Sequence, residues 1–146
     1  MEIREIQSII EAVLFAATIG LAPDRLISRY GSVSPSKSLA FQAIGAERIE
    51  ALCDGCCGFF KLEYEKQNLF LRPRFSPGYG DFSIEYQRDI FRVLDCPRKI
   101  GLSLNDSMIM SPSKSVTAIV GISAESPADV KNKCKSCGNI KCTFRH

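Results

Sequence analysis

Apolar residues near the start of the chain recur every three or four positions: Ile3, Ile6, Ile10, Val13, Leu14 and Ala17, with Glu5, Gln7, Ser8 and Glu11 on the far side. That spacing predicts a helix over 2–19, with Gly20 as its terminator. A second short helix is expected between Pro23 and Gly31, anchored by Leu26 and Ile27. Ser34-Pro35 opens a third, with a capping hydroxyl followed by proline at the first helical position. Its apolar stripe runs through Leu39, Ile44, Ile49, Leu52, Cys53, Cys56 and Phe60 to about residue 64. Gly45, Gly55 and Gly58 weaken this helix but let another backbone pack closely. A short strand is expected over 68–72, then a helix over 82–94 marked by Ile84, Gln87, Ile90, Phe91 and Leu94 and closed by Pro97. Strands are expected over 99–104 and 108–110, separated by a turn at Asn105-Asp106-Ser107. Residues 115–122 are almost continuously apolar and rich in β-branched side chains, as for a strand buried on both faces.

Helices come first and strands later, without strict alternation. The expected class is therefore α+β, with N-terminal helices packed on a small, mainly antiparallel sheet. Residues 1–122 read as one domain. Residues 123–146 read as a polar linker and a cysteine-rich tail.

Composition narrows the possibilities. A hydrophobic share of 45% with 24% charged residues is that of an ordinary soluble globular domain. A net charge of +3 is too small to suggest nucleic acid as a partner. The first residues are wrong for a secretory leader, and the apolar run over 12–22 is shorter than the ~20 residues a membrane span needs. A cytoplasmic location is expected. The single histidine, His146, closes the chain, which argues against triad-type nucleophilic catalysis. There is no Gly-x-Gly-x-x-Gly and no phosphate-binding loop of the Walker type.

Seven cysteines without an export signal suggest metal binding or burial rather than disulfides. Cys134, Cys137 and Cys142 have C-x2-C-x4-C spacing, with Gly138 and Asn139 permitting the tight turn. This spacing suits a metal centre lacking one ligand, either zinc or an iron–sulfur cluster. Cys53, Cys56 and Cys57 share one helix face and read as small residues at a close packing contact.

The densest chemistry lies in Arg72-Pro73-Arg74-Phe75-Ser76-Pro77-Gly78-Tyr79-Gly80-Asp81. Two prolines and two glycines exclude a helix interior or a central strand. A stiffened backbone carrying guanidinium groups, aromatic rings and accessible amides suits a small anionic ligand with a flat ring. The same composition also suits a plain connector to the next helix. Arg74-Phe75-Ser76-Pro77-Gly78-Tyr79 resembles the Arg-x-x-Pro-Gly-Tyr signature of the activation domain of cobalamin-dependent methionine synthase. Three further blocks resemble that family in the same order: Ala16-Ala17-Thr18-Ile19-Gly20, Ala46-Glu47-Arg48-Ile49-Glu50, and the stretch from Ile100-Gly101-Leu102 through Ser107, Pro112, Ser115 and Val116.

The resemblance implies a short stand-alone form of that domain, serving methionine biosynthesis. It implies binding of S-adenosylmethionine and reductive methylation of cob(II)alamin held by a separate methionine synthase or other corrinoid methyltransferase. A flavodoxin or ferredoxin would supply the electron, and cobalamin would enter only through the partner. By the same resemblance, Arg74 would hold the ligand's carboxylate, with Phe75, Ser76, Gly78 and Tyr79 beside it and Glu50 and Arg48 on the preceding helix. The chain is expected to begin inside the domain of the long enzymes, which also lack the cysteine tail. The competing expectation is a zinc- or iron–sulfur-containing electron-transfer or docking accessory that does not bind S-adenosylmethionine.

Overall fold

The computed structural model describes residues 9–126. The chain runs β1 (Ile9–Thr18), α1 (Ala22–Gly31), α2 (Pro35–Glu65), β2 (Phe70–Phe75), α3 (Tyr86–Leu94), α4 (Cys96–Ile100), β3 (Ser103–Leu104), β4 (Met110–Ser111) and β5 (Ser115–Ser123). It is a mixed α+β fold on a small antiparallel sheet. β5 is the central strand, flanked by β1 on one side and β2 on the other, and both pairings are antiparallel. β3 and β4 form a separate two-stranded ladder.

The sheet is covered on both faces. On one side Phe15, Ala118 and Val120 pack against Ile49 and Cys53 of α2. On the other, Ala16 lies against a cluster of Phe91, Cys96 and Leu102 from α3, α4 and the turn after it. Covering both faces explains why the β5 sequence is apolar at nearly every position.

The same covering corrects the expectation of a helix over 2–19. Its described part, Ile9–Thr18, is a strand in register with β5: Phe15 faces Ala118 and Ala17 faces Val116. Phe15 and Ala17 point to the α2 side and Ala16 to the other. A doubly covered strand has apolar residues on both faces, so it offers three- and four-residue spacings that mimic a helix. The first element among the described residues is therefore a strand rather than a helix.

The expected strand over 99–104 is corrected as well. Pro97 lies in the first turn of α4 rather than closing the preceding helix, because its missing N–H is harmless there. The break falls at Asp95, which takes a left-handed conformation, and Gly101 ends α4 in the same region at φ 65°. Only Ser103–Leu104 is extended. The helix expected over 82–94 forms from Tyr86, after a run of turns. The second and third expected helices form as α1 and α2. At the start of α2, Ser34 occupies the N-cap position, but its hydroxyl makes no cap bond and instead lies 3.5 Å from Ser36 Oγ.

Candidate functional site

The loop signature begins inside β2. Arg72, Pro73, Arg74 and Phe75 lie on that edge strand, and the pairing with β5 is irregular between Leu71 and Arg74. A proline cannot donate to a ladder, so an edge position at a register shift accommodates Pro73. The loop proper follows. Gly78 and Gly80 both have positive φ, at 95° and 58°. The Gly78 amide donates to Phe82 O at 2.8 Å and the Tyr79 amide to Ser76 O at 3.4 Å. These two amides therefore close the loop on itself instead of facing a ligand, which corrects the picture of accessible loop amides. A Cβ on Gly78 would come within 3.2 Å of Ile84 Cδ1, so the glycine also brings the loop onto the residues leading to α3.

The loop forms one wall of a cleft of about 650 Å³. Arg74, Phe75, Ser76, Pro77 and Tyr79 line that wall, and Tyr79 is largely exposed. Ala46, Ile49 and Glu50 of α2 form a second wall, and Met108, Met110 and residues 113–117 form a third. Gln87 of α3 is buried at the base, where its Nε2 donates to Met108 O at 3.4 Å. The turn carrying Met108 is braced: Asn105 Oδ1 accepts the Ile109 amide at 2.9 Å, and Arg88 donates to Asp106 O at 3.3 Å. Met108 itself is held at φ 60°. The far rim is fixed to α1 by Asp24, whose carboxylate accepts the Ser113 amide at 2.8 Å and the Ser113 hydroxyl. Ser115 Oγ donates a hydrogen bond of 2.8 Å and lies 2.8 Å from both Pro112 O and Thr18 Oγ1.

Arg74 is the electrostatic centre of one end. Its Nη1 donates to Asp54 at 2.6 Å and its Nη2 donates to Glu50. Glu50 and Asp54 are one helical turn apart on α2, so both reach the same guanidinium. Burial works against the Arg74 charge, but hydrogen bonds to Asp54 and Cys57 outweigh it and raise the pKa. One cation facing two carboxylates leaves this corner net negative. Beneath it, burial pushes the Cys53 thiol up to about 11, against the opposing pull of Arg74. Cys53 is fully buried and is a neutral thiol at ordinary pH, as expected for a packing residue.

The opposite end has a different character. Lys114 lies across α2 at Gly45, with its methylenes 3.1–3.3 Å from where a Cβ on that glycine would stand. Its Nζ donates to Gln42 Oε1 at 2.6 Å. Among the described residues Lys114 has no carboxylate partner.

Of the residues singled out from the sequence, Arg74, Phe75, Ser76, Tyr79 and Glu50 meet at the cleft. Gly78 shapes the loop without lining it. Arg48 stands apart on an exposed face of α2, 3.7 Å from Glu47, where it does not line the cleft. Cys134, Cys137 and Cys142 lie outside the described residues. Among the described residues, no group of three or more His, Cys, Asp or Glu is gathered as for a metal ion. Sequence reasoning missed Asp54, Gln87, Met108 and Lys114. Met108 and Lys114 lie inside the stretch that resembles the activation-domain family without being marked there as site residues, and Asp54 carried a signal as a carboxylate four residues after Glu50 on one helix face. No protein-family model matches the chain, and no curated protein matches it. Among the described residues, no helix is long and apolar enough to cross a membrane.

Proposed function

We propose that this chain binds S-adenosylmethionine in the cleft and supports reductive methylation of cob(II)alamin held by a separate methionine synthase or other corrinoid methyltransferase. The observation that carries the reading is convergence. Three segments that resemble the activation-domain family, at 46–50, 74–79 and 108–116, are far apart in the chain yet line one cleft.

The lining fits the donor. The cleft falls within the roughly 300–1,000 Å³ typical of small-molecule sites. The amino-acid end of S-adenosylmethionine is a zwitterion, and the Arg74–Glu50–Asp54 corner offers both charge signs. Arg74 has five N–H donors, so one fork can serve its two carboxylates and still reach a third. Glu50 accepts the ammonium. The exposed Tyr79 ring offers a flat face for the adenine, and Ile49, Met108 and Met110 supply apolar contact. When bound, S-adenosylmethionine contributes an electrophilic methyl group. The chain's residues bind it, orient it and limit its contact with water; this is positioning work that needs no histidine. The corrinoid and a flavodoxin or ferredoxin electron donor come from partners, and any zinc or iron–sulfur centre would belong to Cys134, Cys137 and Cys142.

Calorimetric titration with S-adenosylmethionine tests the reading. Binding to the wild-type chain is expected. Arg74→Ala should weaken it about tenfold to a hundredfold, the value of a charge-assisted hydrogen bond, while the circular dichroism spectrum stays unchanged. No heat and no thermal shift with the wild-type chain would overturn the assignment.

A further inference from the structure

α2 is 31 residues long, about 46 Å at 1.5 Å per residue. Only Gly45, Ile49 and Cys53 are buried, all on the face turned to the sheet. The opposite face is not a solvated polar surface. Ile44, Ala51, Gly55, Gly58 and Leu62 follow one another along it at spacings of three, four and seven. Ile44 is 55% exposed and Leu62 64%, and Phe59 and Leu52 flank the stripe at 61% and 46%. A Cβ on Gly55 or Gly58 would meet nothing within 4 Å. A glycine in an exposed helix costs roughly 1 kcal/mol against alanine. Here two such glycines sit amid exposed apolar side chains, and no contact among the described residues calls for them. Bare backbone at the centre of an apolar stripe is what a second helix needs in order to approach closely.

The charges at its edges identify the occupant. Glu47 and Glu65 stand on one edge of the stripe, and Arg48 and Lys66 on the other. Each pair is five helical turns apart, so the two glutamates align along one edge and the two cations along the other, although within the chain Glu47 already lies near Arg48, Glu65 near Lys61 and Lys66 near Glu63. These side chains are exposed, Glu65 least at 40%. Two copies laid side by side in parallel set the acidic edge of each against the basic edge of the other. Glu47 then meets the partner's Arg48, and Glu65 meets the partner's Lys66. An antiparallel arrangement would oppose Glu47 to the partner's Glu65, and Arg48 to the partner's Lys66.

We infer that this chain self-associates as a parallel dimer through the outer face of α2, with Gly55 and Gly58 at the point of closest approach. The cleft lies on the other side of α2 and stays open in each copy.

Sedimentation equilibrium on the full chain tests this. The wild-type chain should show a concentration-dependent monomer–dimer equilibrium, and Leu62→Glu should weaken it about thirtyfold or more without changing the circular dichroism spectrum. The double variants E47K/E65K and R48E/K66E should each associate more weakly than wild type, and an equimolar mixture of the two should associate more tightly than either alone. A chain that stays monomeric at every concentration overturns the inference. So does a dimer indifferent to Leu62→Glu, or a mixture no tighter than its components.

Discussion

The two faces of α2 use small residues for different ends. On the inner face, Gly45 makes room for the Lys114 side chain and Cys53 fits under the Arg74 corner against Ala118 and Val120. On the outer face, Gly55 and Gly58 border open space. Inside, removing volume creates a cavity, and adding it displaces a named neighbour. Outside, adding a methyl group meets no obstacle among the described residues. The same residue type along one helix therefore reports packing already made on one side and packing still available on the other.

The largest break in this comparison comes from the inner face. Ile49 is 5% exposed and joins the helix to Phe15 and the sheet. Ile49→Ala should cost about 2–5 kcal/mol, measured by urea denaturation. The matching outer substitution, Leu62→Ala, should cost well under 1 kcal/mol in the monomer.

A pH titration sharpens the inner face next. The Cys53 thiol ionises at about 11 in the folded chain, against 9.0 when unperturbed. Between those values the unfolded state loses a proton that the folded state retains. Stability contributed by the protonated thiol is complete below pH 9 and is lost as pH rises to 11. Thermal melts of Cys53→Ala and wild type should therefore converge above pH 9, with wild type losing about 2 kcal/mol more than the variant.

The smallest effect is the most diagnostic. Gly55→Ala should stabilise the monomer by about 0.5–1 kcal/mol, because the methyl group has space and the helix gains propensity. It should weaken self-association at the same time. Opposite signs in denaturation of the dilute chain and in sedimentation are the expected outcome. Gly45→Ala should instead expel Lys114 from its seat, read as loss of the bond to Gln42 in a crystal structure.

Much of this arrangement was legible in the sequence. Pro35 fixed the start of α2, and the β-branched run identified the strand from Ser115 that became the sheet's centre. The two glycines of the loop announced its positive φ values. β1 was misread because a strand covered on both faces loses the alternation that marks strands. α4 was misread because proline ends helices and also begins them. At the cleft, Arg74 and Tyr79 stood out by type, but the neutralising pair around Arg74 needed the packing of β2 on α2. Lys114 stands in the stretch that resembles the family, but nothing local marked its side chain for the cleft. Its role depends on a glycine almost seventy residues earlier.

That seat for Lys114 has an energetic consequence. A lysine in solution samples many rotamers and surrenders them when it binds, at a cost of roughly 0.5–1.5 kcal/mol. Here the bare backbone at Gly45 and the Gln42 amide have already confined the chain. An anionic group arriving at that end of the cleft meets a cation whose freedom was spent during folding, so attraction and affinity lie closer together there than at an unrestrained lysine.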